Sequence, residues 1–254
     1  VSYGVLRQVT DSAGVLLAEN PGVMTLDGTN TWVLRAPGAE SAVVVDPGPP
    51  GTHLDRLEAL GPVELVLLTH GHPDHSEGAV EFGRRVDAPV RAVDPTFRTG
   101  TGLDHDEVIK AGGLDLTVLR TPGHTSDSVC FVLADAVLTG DTVLGRGTTI
   151  VAHPDGRLGD YLASLRLLAG LPPGRLVLPG HGPVLPDVVA AAAGYLAHRG
   201  QRLDQVRAAV AELGGTPTPR QVVELVYRDV DQSLWPAAEW SVRAQLEYLR
   251  EAGA

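Results

Sequence analysis

The chain has a single cysteine, Cys130, among its 254 residues. One thiol cannot close an internal disulfide, which excludes the cross-linked scaffold of small secreted domains and makes the cytoplasm the expected compartment. Positive charge is also scarce: 20 Lys and Arg face 31 Asp and Glu, the formal net charge is −11, and Lys110 is the only lysine. That balance works against a nonspecific grip on phosphate backbones or anionic membranes. No apolar run approaches the length of a membrane span, and the opening VSYGVLRQVTDSAGVLLAENPG has no charged leader ahead of an uninterrupted apolar segment. Val rather than Met at position 1 is what a trimmed chain would show. Internal repeats and low-complexity tracts are absent. What is there, 43% hydrophobic and 20% charged residues with 30 Gly and 19 Pro, suits one large globular domain, or a domain with a small appendage, rich in turns.

Short β-branched or Leu-rich runs end repeatedly in polar clusters: AVVVDPG at 42–48, ELVLLTHGH at 64–72, DLTVLRTPGHT at 115–125, AVLTGD at 136–141 and RLVLPGHG at 175–182. Each predicts a buried strand that delivers polar residues into a loop. Helical segments are predicted between them at 76–86 and 159–169, with Ser76 and Asp160 as N-caps. This alternation predicts an α/β sandwich with function collected at strand ends. From about residue 190 the character changes to three short helices at 190–213, 220–227 and 234–251, the first broken off by GGTPTP. Leu203, Val206, Val210 and Leu213 share one helical face, and Val242, Leu246 and Leu249 share another. The expected division is a catalytic domain over 1–195 and a helical module over 196–254. From Arg199 onward seven Arg meet eight acidic residues, so the module is nearly neutral and lacks a basic stripe.

The stretch LLTHGHPDHSEG at 67–78 places three of the nine histidines and an aspartate within six positions. Neutral imidazole and ionised carboxylate suit a borderline ion such as zinc, and His70, His72, Asp74 and His75 can turn toward one cavity. Burying these groups unpaired would cost several kcal/mol or force pKa shifts, and a metal removes both problems. The bland alternative is an exposed polar turn with chance histidines. Three further strand-end residues argue against it: His124 in TPGHT, Asp141 in TGD and His181 in PGHG. His53, predicted near the start of a helix, His105 in the solvated DHDE loop, His153 and His198 lack this context and are read as non-ligands. Cys130, inside SVCFVL, reads as core rather than nucleophile.

The order THxHxDH, GHT, GD, GH resembles the metallo-β-lactamase-fold hydrolases over roughly the first 190 residues. The resemblance implies an αββα sandwich and two divalent ions, with zinc as the expected metal. It implies that His70, His72 and His124 hold one ion, that Asp74, His75 and His181 hold the other, and that Asp141 bridges them. Asp74 and Asp141 are the carboxylates expected to take part in catalysis with a metal-bound hydroxide as nucleophile. Asp46, at the end of AVVVDPG, is the remaining motif aspartate and is expected to orient a ligand histidine, against the alternative of an aspartate opening a Pro-Gly turn. Thr69, Thr125 and Thr142, next to motif residues, are read either as similar orienting groups or as turn and cap residues.

NPGVMTLDGTNTW at 20–32 and the tail from TPTPRQVVELVY to the C-terminus extend the resemblance to the beta-lactamase-like protein two group, with its small winged-helix-like C-terminal domain. After Ala254 no β-hairpin wing remains, so the module is expected to be truncated or wholly helical. Forty positions between Asp141 and His181 leave no room for the inserted domain of the RNA- and DNA-processing β-CASP branch. The first functional expectation is a metal-dependent endoribonuclease acting on single-stranded RNA, with Arg98, Arg146 or tail arginines contacting phosphates. The alternative is hydrolysis of a thioester or ester, as in the glyoxalase II-like enzymes, on glutathione, coenzyme A or a carrier protein. Lactone or β-lactam hydrolysis is a third reading. A non-enzymatic module that holds metal and docks a partner is the fourth.

Overall fold

The apolar runs that end in polar clusters become the central strands of two sheets in the computed structural model, which describes residues 2–253. The first sheet runs in the order β1 (Arg7–Gln8), β2 (Ala13–Leu17), β3 (Asn30–Leu34), β4 (Ala42–Val45), β5 (Val63–Leu67) and β6 (Val90–Arg91). Strands β1 to β4 are antiparallel neighbours, while β4, β5 and β6 pair in parallel. The second sheet consists of β7 (Val108–Ala111), β8 (Leu114–Arg120), β9 (Val129–Val132), β10 (Ala136–Gly140) and β11 (Leu176–Pro179), in the order β11-β10-β9-β8-β7. Here β7 to β10 are antiparallel and only β10 and β11 are parallel.

Alternate residues of these strands fill the space between the sheets: Trp32, Val43, Val45, Leu65 and Leu67 from one, Leu116, Val118, Phe131 and Leu138 from the other. The opposite faces are covered as well, which is why the strands read as continuous apolar runs rather than alternating ones. Val44 and Val66 pack with Leu54, Leu57 and Phe82, carried by α1 (Thr52–Glu58) and α3 (Ala79–Arg85). Behind the second sheet, Cys130, Val137 and Val177 pack with Tyr161 and Leu165 of α4 (Leu158–Ala169) and Tyr195 of α5 (Val188–Leu213). The layers are α, β, β, α. Cys130 is fully buried there, as its apolar context predicts.

The C-terminal helices continue that last layer. The 26-residue α5 crosses the expected boundary at 195/196 without a break, so the first of the three predicted helices is long rather than short. Leu203 and Val206 of α5 share one apolar cluster with Val222 and Val223 of α6 (Pro219–Val226) and Val242 and Leu249 of α7 (Trp235–Glu251). A Thr218–Gln221 capping box with Pro219 in the first turn starts α6. Among the described residues no strand follows β11, so this unit is helical throughout.

Two expected helix starts are corrected. Ser76 does not cap a helix: it ends the single turn α2 (Pro73–Ser76), and its hydroxyl donates back to the carbonyls of Gly71 and His72 (both 3.0 Å). Pro73 sets the turn early, and the next helix begins only at Ala79. Asp160 lies inside the first turn of α4, which starts at Leu158 with Arg157 before it. A carboxylate there still favours the helix dipole.

Candidate metal centre

Both parallel strand pairs end at the same edge of the sandwich. Asp46 follows β4, Thr69 and His70 follow β5, Asp141 follows β10, and His181 lies two residues beyond β11; the β8–β9 connection brings in His124. The hexapeptide from His70 to His75 changes conformation midway. His72 has extended backbone, Pro73 starts α2, and after that helical turn Asp74 and His75 offer their ligand atoms to His181, while His70 and His72 offer theirs to His124. Two groups result: His70, His72, His124 and Asp141, and Asp74, His75 and His181, each with potential ligand atoms within 4.8 Å of one another. The seven predicted site residues are therefore brought together, and His53, His105, His153 and His198 lie outside both groups.

Hydrogen bonds on the far side of each ring determine what the near side presents. His181 Nδ1 faces the Gly28 carbonyl at 3.1 Å, and His124 Nδ1 faces the Ile150 carbonyl at 2.8 Å. A carbonyl only accepts, so both Nδ1 atoms carry the proton and, in the neutral ring, Nε2 is bare. His75 Nδ1 donates to Asp46 Oδ2 (2.9 Å) by the same logic. Thr69 spends its one hydroxyl proton on Asp46 Oδ2 (2.6 Å) and therefore accepts from His70 Nδ1 (3.0 Å). Asp46 thus orients one histidine from each group, where the sequence predicts one in total. It does so from a left-handed backbone conformation (φ 53°), which costs a non-glycine residue roughly 1–2 kcal/mol.

With neutral rings, the state in which they bind a metal, the inward atoms are acceptors facing acceptors. His75 Nε2 and His181 Nε2 lie 3.2 Å apart, and Asp74 Oδ2 is 3.2 Å from each. His72 Nδ1 is 3.0 Å from both His70 Nε2 and His124 Nε2, so one proton at most serves three nitrogens. Asp141 faces both groups: Oδ1 is 3.5 Å from His75 Nε2, and Oδ2 is 3.4 Å from His181 Nε2 and 3.7 Å from His124 Nε2. Its Oδ1 is buried without a hydrogen-bond partner. Ligand atoms about 2.0–2.1 Å from a tetrahedral ion sit about 3.3 Å from each other, close to these spacings. The donor set fits two divalent ions.

Protonation follows the same demand for positive charge. Burial, the largest single influence, lowers His75 and His181, but the carboxylates together outweigh it, Asp141 with Asp46 and Asp74 at His75 and Asp141 with Asp74 at His181; His75 lies well above the ordinary histidine value and His181 at about 9. Burial alone would raise the carboxyls of Asp141 and Asp74, yet the imidazoles His75 and His181 hold both well below the usual range. His70 is pushed far down by burial and then by His75, and His124 is lowered chiefly by burial.

The closest support of the second group comes from residues that sequence reasoning did not place in the site. Thr29 donates to Asp74 Oδ2 (2.9 Å) and is itself held by Asn20, which accepts from its N–H (2.9 Å) and donates to its hydroxyl (3.0 Å). Asn30 ties down the strand-end carbonyls of Pro179 and Gly182, and Thr31 donates to the Asp46 carbonyl (2.7 Å). The available signal was the GTNT run itself, three polar side chains opening an apolar strand. Of the three threonines next to motif residues, Thr69 belongs to the relay, Thr125 closes a turn on Ser128 (2.6 Å), and Thr142 contacts Thr121 (3.4 Å). Gly180 is required by contact: a Cβ there would meet Asp141 Oδ1 and His75 Cε1, the latter at 2.7 Å.

Residues 24–181 match the Metallo-beta-lactamase superfamily, and residues 218–254 match the Beta-lactamase associated winged helix domain. The chain is 31% identical to the Beta-lactamase-like protein 2 homolog of Drosophila melanogaster, over 98% of this chain and 91% of that protein. It is also 31% identical to the Atrochrysone carboxyl ACP thioesterase of Aspergillus fumigatus, over 84% of this chain and 72% of that one. Among solved structures, a Beta-lactamase domain protein from Burkholderia ambifaria superposes with a TM-score of 0.83 at 24% identity, covering 99% of this chain and 89% of the other.

Proposed function

Since the chain belongs to the metallo-beta-lactamase superfamily, whose members are generally hydrolases, we propose that it is a dinuclear zinc enzyme that hydrolyses an acyl thioester or ester. The observation that carries the hydrolase reading is Asp141, whose Oδ2 lies 3.4 Å from His181 Nε2 and 3.7 Å from His124 Nε2, one ligand nitrogen from each group. The relative named as a thioesterase supports the choice of bond. The arginines that RNA binding would need are divided: Arg146, Arg207, Arg220 and Arg250 pair with Asp27, Asp204, Glu224 and Glu247, and Arg199 is buried, while Arg98, Arg202, Arg228 and Arg243 have no ion pair among the described residues, which is why RNA is assayed beside the thioesters.

His70, His72 and His124 would hold one ion, Asp74, His75 and His181 the other, and Asp141 would contact both. Two bound divalent ions supply Lewis acidity and lower the pKa of water toward about 7, which makes hydrolysis feasible near neutrality. The remaining work belongs to the chain. The Asp46–Thr69 relay and the carbonyls of Gly28 and Ile150 keep Nδ1 of four histidines protonated, so that Nε2 is always the available donor. Thr29 fixes one oxygen of Asp74. The other oxygen has no protein donor among the described residues, and the carboxyl, held well below the usual range by His181 and His75, stays ionised as a ligand although it is a quarter exposed. We place this site in residues 1–195 and read residues 196–254 as a helical unit packed on it through α5.

The test is thiol release from acyl-glutathione, acyl-coenzyme A and acyl-carrier-protein substrates by the zinc-loaded protein and by its His72→Ala/Asp74→Ala variant, with end-labelled single-stranded RNA assayed in parallel. Thiol release by the first protein only is expected. Absence of release with both metals bound would reject the thioester reading, and RNA cleavage in the same preparations would put a phosphodiesterase in its place.

A further inference from the structure

The segment between β10 and α4 carries the carbonyl that orients His124, and it has no regular secondary structure. Three side chains from behind the second sheet hold it. Tyr161 of α4 donates to the Thr142 carbonyl (2.7 Å). Tyr195 of α5 accepts from the Leu144 N–H (3.0 Å) and donates to the Gly147 carbonyl (3.1 Å). One helical turn further along the same face of α5, Arg199 donates to the Thr149 carbonyl.

The dipeptide that Arg199 grips reaches two residues of the first group, Asp141 and His124. Thr149 donates its hydroxyl to the Asp141 carbonyl (2.7 Å), and the next carbonyl, that of Ile150, accepts from His124 Nδ1. Arg199 is only 4% exposed and has no carboxylate within ion-pair distance among the described residues. Its guanidinium lies 5.2 Å from the centre of the Tyr161 ring, and its Nε is buried without a partner. A buried cation without a counter-ion is a costly way to fill space, and an apolar side chain of similar volume would pack there at lower cost. Among the described residues the one hydrogen bond of Arg199 is the one to Thr149.

We infer that Arg199 is a positioning residue: from α5 it holds Thr149–Ile150, and through them fixes Asp141 and the ring of His124. The helical unit is therefore part of the metal centre's support rather than an independent attachment. This inference rests on the dinuclear reading above.

Cobalt-substituted wild type, Arg199→Met and Arg199→Lys separate the two. The expected result is that Arg199→Met shifts the visible d–d bands and weakens retention of one ion by 10–100-fold, as loss of a ligand's outer partner does. Arg199→Lys, which still donates a hydrogen bond, should recover part of both effects. Leu203→Ala, a cavity variant on the same helix, should lower Tm and leave the bands unchanged. If Arg199→Met does not fold, Thr149→Val cuts the link to Asp141 alone and should shift the bands. Wild-type bands and affinity in Arg199→Met, or in Thr149→Val if that variant has to stand in, would overturn the inference while leaving the metal reading intact. Lysine behaving like methionine would overturn it too. No cobalt bands in the wild type would end both.

Discussion

Replacing Asp46 by Asn should disable both halves of the centre, although Asp46 faces neither ion position. The carboxylate accepts three hydrogen bonds: Oδ1 from the Thr69 N–H (2.8 Å), and Oδ2 from the Thr69 hydroxyl (2.6 Å) and His75 Nδ1 (2.9 Å). An amide has only one accepting end. With its nitrogen at the Oδ1 position, it meets the buried backbone N–H and leaves two donors opposed, a penalty of about 1–3 kcal/mol. With its nitrogen at the Oδ2 position, His75 must move its proton to Nε2, the atom that faces Asp74 and His181. Thr69 must then accept from the amide and donate to His70, which moves the His70 proton to Nε2 as well. Either arrangement removes a charge-assisted bond worth about 1.5–3 kcal/mol, equivalent to roughly 10–150-fold in zinc affinity. The relay spreads that loss over one histidine of each group. The assay is zinc titration against a chromophoric chelator, with stoichiometry counted by elemental analysis after gel filtration. Two ions bound at wild-type affinity would refute the reasoning. Loss confined to the His75 group would refute the Thr69–His70 relay and keep the direct bond.

Gly180→Ala should lower the stability of the metal-free protein and weaken loading of both ions, because the new methyl would overlap Asp141 Oδ1 and His75 Cε1; calorimetric Tm of the metal-free protein and bound-metal content check the two halves of the claim, and wild-type values of both would contradict it. His53 tests the fold away from the metals. It is buried at 5% exposure, its Nε2–H donates to Thr31 (2.8 Å), and burial, with Arg56 adding, lowers its pKa from 6.5 to about 4. The unfolded chain binds this proton first as pH falls, so the stabilisation is present above pH 6.5 and is lost on the way down to 4. Between pH 7 and pH 5 the loss is about 2 kcal/mol, and urea unfolding of metal-free His53→Gln should show a pH slope flatter by that amount; an unchanged slope contradicts it. Loading zinc at pH 7 should release protons, because His181 at about 9 and the raised His75 give theirs up. Affinity should therefore rise with pH toward 9, and calorimetry in buffers of different ionisation enthalpy counts the protons; a count of zero would show that the imidazoles are already neutral.

The parts of this molecule legible in the sequence are those where a side chain announces its own role. A run such as ELVLLTHGH couples a buried strand to polar residues that only a loop at its end can use, so the strand-end histidines and Asp141 could be picked out before any coordinates. The meeting of those strand ends is a property of topology. It requires β4 with β5 and β10 with β11 to be parallel, so that both pairs open at one edge, and nothing local to either pair encodes that. The helix starts failed for a local reason instead: Ser76 and Asp160 have cap chemistry, but Pro73 and the packing of Leu158 begin the turns earlier. The orienting shell is the least legible layer, because two of its members are backbone carbonyls, of Gly28 and Ile150, and any residue supplies those. The GTNT run lies between these extremes. Its Thr29, Asn30 and Thr31 support, in turn, Asp74, the strand ends around His181, and Asp46. Three consecutive polar side chains alternate in direction along an extended strand, yet all three are buried. Such a run at the mouth of an apolar strand is a cost unless each member has a partner, and here the partners are the residues that hold the site in shape.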